Sequence, residues 1–186
     1  MAHWTTRLVG ARAHGAELDR LGTEGDQVRS ALGEGAVAWA IDVGELVAIK
    51  ITQELPALGD SAAHFNALRR ATTSTTLQAL TLISGLVESD ASLTGTEEVE
   101  IAKEFARRGL ELNDLLRAIR VGYAVLAAGL LDAATQLAPD TETSTELRRI
   151  SVLLFEVMDD FTSVVSTAFL DEQNTWAASL STASNT

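Results

Sequence analysis

Apolar residues recur at Leu147, Ile150, Leu154, Val157, Phe161, Val164 and Ala168, an unbroken alternation of three and four. Only a helix brings such positions onto one face, because helical side chains repeat every 3.6 residues and strand side chains every two. A face that apolar and that long is unstable in water alone, so the segment calls for a partner helix. The rest of the chain suits that demand. Hydrophobic residues make up 46% but aromatics only 5%, so the core is to be built from Ala, Leu, Val and Ile, and only two prolines interrupt it. A chain of 186 residues is long enough for one domain with a sizeable core. The expected fold is all-α, a bundle of about five to six helices closed by a long C-terminal helix.

Local signals divide the chain further. Residues 1–26 scatter Gly10, Gly15, Gly22 and Gly25 among charges and read as a loosely ordered N-terminal arm. From about Gln27 to Leu55, Val28, Leu32, Val37, Ile41, Val47 and Ile51 favour helix while Gly33, Gly35 and Gly44 weaken it. Two helices or one kinked helix both fit, and Pro56 ends the pattern. Asp60 and Ser61 are N-caps for a third helix running to about Glu88, followed by a loop over Ser89–Ser92. Thr94 and Glu97 form a capping-box signature for a helix from about Thr96 to Arg108, stopped by Gly109. A helix over Asn113–Ala138 precedes Pro139 and a polar turn, and the last helix starts near Thr145. Residues 27–176 then form one helical domain, and residues 177–186 the start of a linker or a cut end.

Composition excludes several functions. With no cysteine there is neither a disulfide framework nor a thiolate metal site. Met1 to Leu8 lacks the basic and apolar regions of a secretory signal, and no stretch reaches the roughly 18 apolar residues of a membrane span. A cytoplasmic location is expected, with no membrane partner. A net charge of -12 disfavours phosphate contacts, so these residues alone are not expected to bind DNA. The acid excess lies in the C-terminal part: residues 71–186 hold seventeen Asp/Glu against seven Lys/Arg. No short context places a nucleophile beside a base, so no enzyme activity and no catalytic residue are expected. His3, His14 and His64 are too scattered for a local metal site, and no cofactor is expected. His64 reads as a surface or capping residue. The acid pairs Glu97-Glu98 and Asp159-Asp160 point about 100° apart on a helix, which suits a solvated face rather than a carboxylate dyad.

The segment Ala106-Arg107-Arg108-Gly109 through Tyr123 is the most informative. On a helical projection Leu115, Ile119, Tyr123, Leu126, Leu130 and Leu131 share a wide apolar arc, and Arg120 falls inside it. A guanidinium facing a core needs an internal carboxylate or an anionic ligand. Arg117, at the arc's edge, is expected to reach water. Gly122 and Gly129 would admit a close helix. Trp39 and Tyr123 fill the core or line a cavity. Arg120, Tyr123 and Trp39 are thus the candidate ligand-binding residues, and Leu147, Ile150, Leu154, Val157, Phe161 and Val164 the candidate dimer seam.

That segment, Ala-Arg-Arg-Gly-Leu-x-Leu-x-x-Leu-Leu-Arg-Ala-x-Arg-x-Gly, resembles the N-terminal region of actinobacterial PucR/CdaR-type transcriptional regulators. The run from Leu153 through Asp160 and Val164 to Trp176 resembles the long helix that closes that region. The resemblance implies an all-helical input domain similar to the N-terminal domain of RsbR-like stress co-antagonists, in a globin-like arrangement without haem. It further implies a GGDEF-like middle domain and a C-terminal helix-turn-helix, neither of which lies in these residues, so DNA is a partner only through an absent domain. The function expected is therefore signal sensing and homodimerisation for a bacterial transcriptional regulator, with a small molecule or a protein as signal. The alternative is a stand-alone helical protein-interaction module of a stress-signalling pathway.

Overall fold

Glycine and proline set most of the breaks between elements. The computed structural model describes residues 3–12, 15, 20–87 and 94–184. Among these residues lie six α-helices and no strand: α1 (Gly22–Leu32), α2 (Glu34–Glu54), α3 (Ala62–Ile83), α4 (Thr96–Arg107), α5 (Leu112–Leu137) and α6 (Thr143–Ala183). Short 3-10 turns cover Trp4–Arg7 and Pro56–Gly59. Of the two readings for residues 27–55, the structure takes two helices, separated at Gly33 in a positive-φ conformation. Ser61 caps α3 by accepting from the His64 N–H at 3.1 Å. Gly85 and Gly109, both left-handed, close α3 and α4. In each case the next residue's N–H reaches back to a carbonyl in the last turn, Leu86 to Thr81 and Leu110 to Phe105.

Three boundaries differ from expectation. α3 ends at Ile83, before the expected Glu88, because Gly85 satisfies its last carbonyls; Glu88 and the Ser89–Ser92 loop lie outside the described residues. The N-cap of α4 is Gly95, not Thr94, and no side chain caps it. Within the N-terminal segment, the stretch Trp4–Leu8 packs on the core. Trp4, Thr5 and Leu8 are buried, and the Trp4 indole N–H donates to Glu146 at 2.9 Å. Arg149 holds the same Glu146 carboxylate and also donates to the Ile83 carbonyl at 2.6 Å, so one cluster ties the N-terminus to α3 and α6. Burial alone would raise the Glu146 carboxyl, yet the Arg149 and Trp4 hydrogen bonds outweigh it and hold the group below its ordinary value.

The helices form a ring. α2 packs on α3 and α5, α3 on α4, α4 on α6, and α6 on α5, while α1 lies outside across α2 and α3. Gly122 of α5 sits 3.3 Å, from its missing Cβ, to Val47 and Ile51 of α2, so glycine is what lets these two helices close the ring. α6 spans 41 residues, about 60 Å. Its buried residues are Ile150, Leu154, Val165 and Phe169, and every residue from Gln173 to Ser184 is exposed. The helix thus continues through the segment expected to begin a linker.

Candidate functional site

At the centre of the ring is a cavity of about 80 Å³ to which all five ring helices contribute. Most of its wall is apolar, including Val47 and Ile51 of α2, Leu115 and Ile119 of α5, and Phe161 and Val165 of α6. Its polar part is Thr72, Thr75 and Thr76 of α3, Glu98 of α4 and Tyr123 of α5. Thr72 and Thr76 spend their hydroxyl protons on helix carbonyls, at 2.7 Å to Gly44 and 2.8 Å to Thr72. Glu98 and Tyr123 are different.

Glu98 is 1% exposed. Its Oε1 accepts from the Thr75 hydroxyl at 3.0 Å and the Gln78 amide at 3.1 Å, while its Oε2 is buried with no hydrogen-bond partner. Gln78 also donates to Glu24 of α1 at 3.2 Å, and Ser74 donates to the same carboxylate at 2.8 Å. No cation pairs with Glu98 among the described residues, and its charged neighbour is another acid. Burial pushes the Glu98 carboxyl up; hydrogen bonds to its own backbone and the α3 hydroxyls oppose this, and the Glu24 charge adds to the rise. This corrects the reading of Glu97-Glu98 as a solvated pair: Glu97 is exposed and Glu98 is core. The signal was present, since Glu98 is in helical register with Ile101, Ala102 and Phe105 on the buried face of α4.

The raised carboxyl makes a pH prediction. Glu98 binds its proton more readily in the folded chain than in the unfolded one. Its contribution to stability is therefore complete below the unfolded carboxyl value, about 4.3, and is lost as pH rises through the raised folded value. Asp60, Glu146 and His3 are all held low and act in the opposite sense, so the test is a difference. Urea midpoints measured from pH 4 upward are expected to fall for the native chain relative to Glu98→Gln. Parallel curves would contradict a buried Glu98 carboxyl that is held above its ordinary value.

Tyr123 is 7% exposed, stands edge-on to Phe161 at 5.6 Å between ring centres, and its hydroxyl is buried without a partner. Burial, then the charges of Glu98 and Asp160, push its phenol far above the ordinary value. The same ring also lines a surface groove of about 350 Å³ between α5 and α6, with Arg120, Ala124, Ala127, Leu131, Leu154, Phe155 and Met158. Tyr123 is therefore common to the walls of the cavity and the groove.

The other candidates do not converge on the cavity. Arg120 is exposed on the groove and makes no ion pair among the described residues, which corrects its placement as a core-facing charge. The projected arc was wider than the stripe that α2 and α6 cover, so the guanidinium sits in water and needs no partner. Arg117 is exposed, as expected, and pairs with Glu54 at 3.1 Å. Trp39 is half-buried over Gly129, whose missing Cβ lies 3.7 Å from the indole, and it lines neither the cavity nor the groove. Of the expected seam, Ile150 and Leu154 are buried and Leu147, Val157 and Phe161 pack against the chain's own core, with Val164 half-buried. The partner helices of that seam are α4 and α5 of the same chain.

The Arg-Arg-Gly motif also has structural partners. Arg107 pairs with Glu172 of α6 at 3.0 Å, and Arg108 bonds the Ala57 carbonyl and Asp60 and lies 5.8 Å over the Phe105 ring. His64 lies half-buried in the first turn of α3, its ring bonded to the Asp60 carboxylate, and the helix is capped by Ser61 instead. His14 lies outside the described residues. Among the described residues no group of three or more His, Asp or Glu is placed to hold a metal ion, and no helix is long and apolar enough to cross a membrane. A cavity of about 80 Å³ is also far too small for a haem.

No curated protein and no solved structure matches the chain significantly. A family model does match, that of the RsbT co-antagonist protein rsbRD N-terminal domain, over residues 42–183. That span holds α3 to α6 and the part of α2 that carries Val47 and Ile51, hence every helix lining the cavity. The six-helix bundle, its long closing helix and its central cavity are thus those of a chain that belongs to the RsbT co-antagonist rsbRD N-terminal domain family.

Proposed function

We propose that this domain is the signal-input and dimerisation part of a larger stress-signalling regulator, and that it carries out no chemical reaction itself. The observation that carries the reading is the two-sidedness of α6. One face supplies Phe161 and Val165 to the cavity wall; the other exposes Val152 (52%) and Phe155 (71%), and the helix then runs on past the core with Trp176 and Leu180 in water. A change inside the ring is thereby transmitted to a surface that a partner can read. A ligand shifts that output only as far as its affinity differs between two packings of α6.

The family's description names an RsbT co-antagonist, which favours a stress-signalling setting with a protein of the RsbT type as partner. The setting in a PucR/CdaR-type transcriptional regulator is a second reading, supported by the Arg107-to-Tyr123 segment. Either setting places the domain in the cytoplasm. Because the Leu147-to-Val164 seam is spent on the chain's own core, a homodimer has to use the outer face at Val152 and Phe155. Sedimentation at a concentration on the order of 100 µM is expected to show a dimer that Phe155→Glu converts to a folded monomer. A native chain that stays monomeric there would remove dimerisation from the reading.

A further inference from the structure

Three of the four carboxylate oxygens of Glu24 and Glu98 are hydrogen-bonded to side chains of α3. Ser74 donates to Glu24 at 2.8 Å, Thr75 to Glu98 at 3.0 Å, and the Gln78 amide to both acids, at 3.2 and 3.1 Å. One amide group thus joins α1 to α4. The fourth oxygen, Glu98 Oε2, is buried without a partner. It lies against Gly95, 2.7 Å from the place a Cβ would take there, with Gln78 Nε2 at 2.7 Å and Glu24 Oε1 at 3.2 Å from the same point. A proton on Oε2 turns that atom into a donor, and the acceptor beside it is Glu24 Oε1. From this cluster we propose that Glu24 and Glu98 hold one proton in common, and that it works as a pH-operated latch fastening α1 to α3 and α4.

The surrounding charges favour the shared proton. From α1 the pair receives the Glu24 charge, while Asp26 and Arg29 pair with each other at 2.7 Å. α3 presents uncharged Ser74, Thr75 and Gln78, and its Arg70 turns instead to the exposed Glu97 of α4, at 3.9 Å. From α5 the nearby group is the Tyr123 phenol, which also feels Asp160 of α6. Burial and then the Glu24 charge push the Glu98 carboxyl up. Once the proton leaves for solvent, two like charges sit beside Gly95, and no cation pairs with either among the described residues. α1 is the element able to respond. It has 11 residues and no side-chain cap at its N-terminus, and it runs between Gly22 and Gly33, both at positive φ. So short a helix depends on its contacts, which are the two acids' shared donors and the buried Val28 and Leu32. When it opens, it uncovers a surface of α2 and α3. α1 precedes residue 42, where the match to the family begins, so the latch is independent of the input-domain reading.

The direction of the switch follows from the proton. α1 is held most tightly below the ordinary carboxyl value of about 4.3, and its opening constant rises about tenfold per pH unit from there until Glu98 has ionised in the closed chain. Amide hydrogen exchange of the full chain from about pH 4 to 8, each rate divided by its unstructured value, reads this opening. The amides of Val28 to Leu32 are expected to lose protection at that slope while staying at least about tenfold less protected than those of Leu77 and Leu80 on α3. In Glu98→Gln, which has no proton to lose, the slope is expected to vanish. Should that variant not fold, Glu24→Gln is the second arm: a carbon-13 carboxyl titration is expected to place the Glu98 midpoint at lower pH than in the native chain. Protection of α1 that is unchanged with pH, or that falls as steeply in Glu98→Gln, would overturn the latch. So would α1 amides that exchange only together with those of α3, or a Glu98 midpoint indifferent to Glu24→Gln.

Discussion

Phe169→Ala is expected to destabilise the chain by about 3–5 kcal/mol, the range for removing a fully buried aromatic ring. Phe169 is 0% exposed and is the last buried residue of α6. Beyond it the helix has no core contact, and on its flank Arg107 pairs with Glu172 at the surface. Such a pair, between side chains about a third and a quarter exposed, contributes little by itself. The ring is therefore what holds the distal part of α6 on α4. Urea unfolding followed by circular dichroism would show the loss as a lower midpoint at an unchanged slope. Leu180→Ala, at an exposed position on the same helix, is the control and is expected to change stability by less than about 0.5 kcal/mol. A loss below about 1 kcal/mol for Phe169→Ala would mean that α6 is not seated on the ring as described, and transmission through it would lose its basis.

Gly44→Ala and Gly129→Ala are expected to move stability in opposite directions although both are glycines in helix interiors. Helix propensity favours alanine by about 1 kcal/mol at either position. At Gly129 the added methyl meets Trp39 and Val43 at 3.7 Å, ordinary contact, so the gain is expected to appear in full or in part. At Gly44 the methyl would lie 2.5 Å from the Thr73 hydroxyl oxygen, 2.7 Å from its Cα and 2.8 Å from its backbone nitrogen. Two of those atoms are α3 backbone, so no rotamer change relieves the clash. The helices must separate, and the Thr72 hydroxyl bond to the Gly44 carbonyl is disturbed with them. A net loss of about 2–3 kcal/mol is expected. Thermal melts of the two variants test the pair; a stabilised Gly44→Ala would show that α2 and α3 are not in backbone contact there.

Much of the architecture was legible because its signals are local. Pro56, Ser61, Gly109 and Pro139 act on the backbone within a few residues, through a missing N–H, a capping oxygen or a tolerated positive φ. The helices they bound came out close to expectation, and the apolar register of α6 correctly called for partner helices. Gly122 and Gly129 were read as places of close approach and face α2 as such. What such signals could not carry was which neighbour covers a given face. Arg120 and Glu98 show this in opposite ways. Arg120 lies on an apolar arc and yet is exposed, because α6 crosses α5 to one side of it. Glu98 belongs to an acid pair and yet is buried, because α3 presents Thr75 and Gln78 to it.

The same division holds for the site. Tyr123 is a candidate from its place on the arc, but the cavity it lines exists only because five helices meet around it. Periodicity, caps and breakers in the sequence determined that this chain is helical, where its helices stop and which stripe of each is apolar. The tertiary structure decided that the long seam packs on the chain's own core, that Glu98 is buried beside Thr75 and Gln78, and that Val152 and Phe155 stay exposed. The physical reason is that a helix is specified by interactions a few residues apart, whereas burial is a property of two surfaces and is settled only when both are in place.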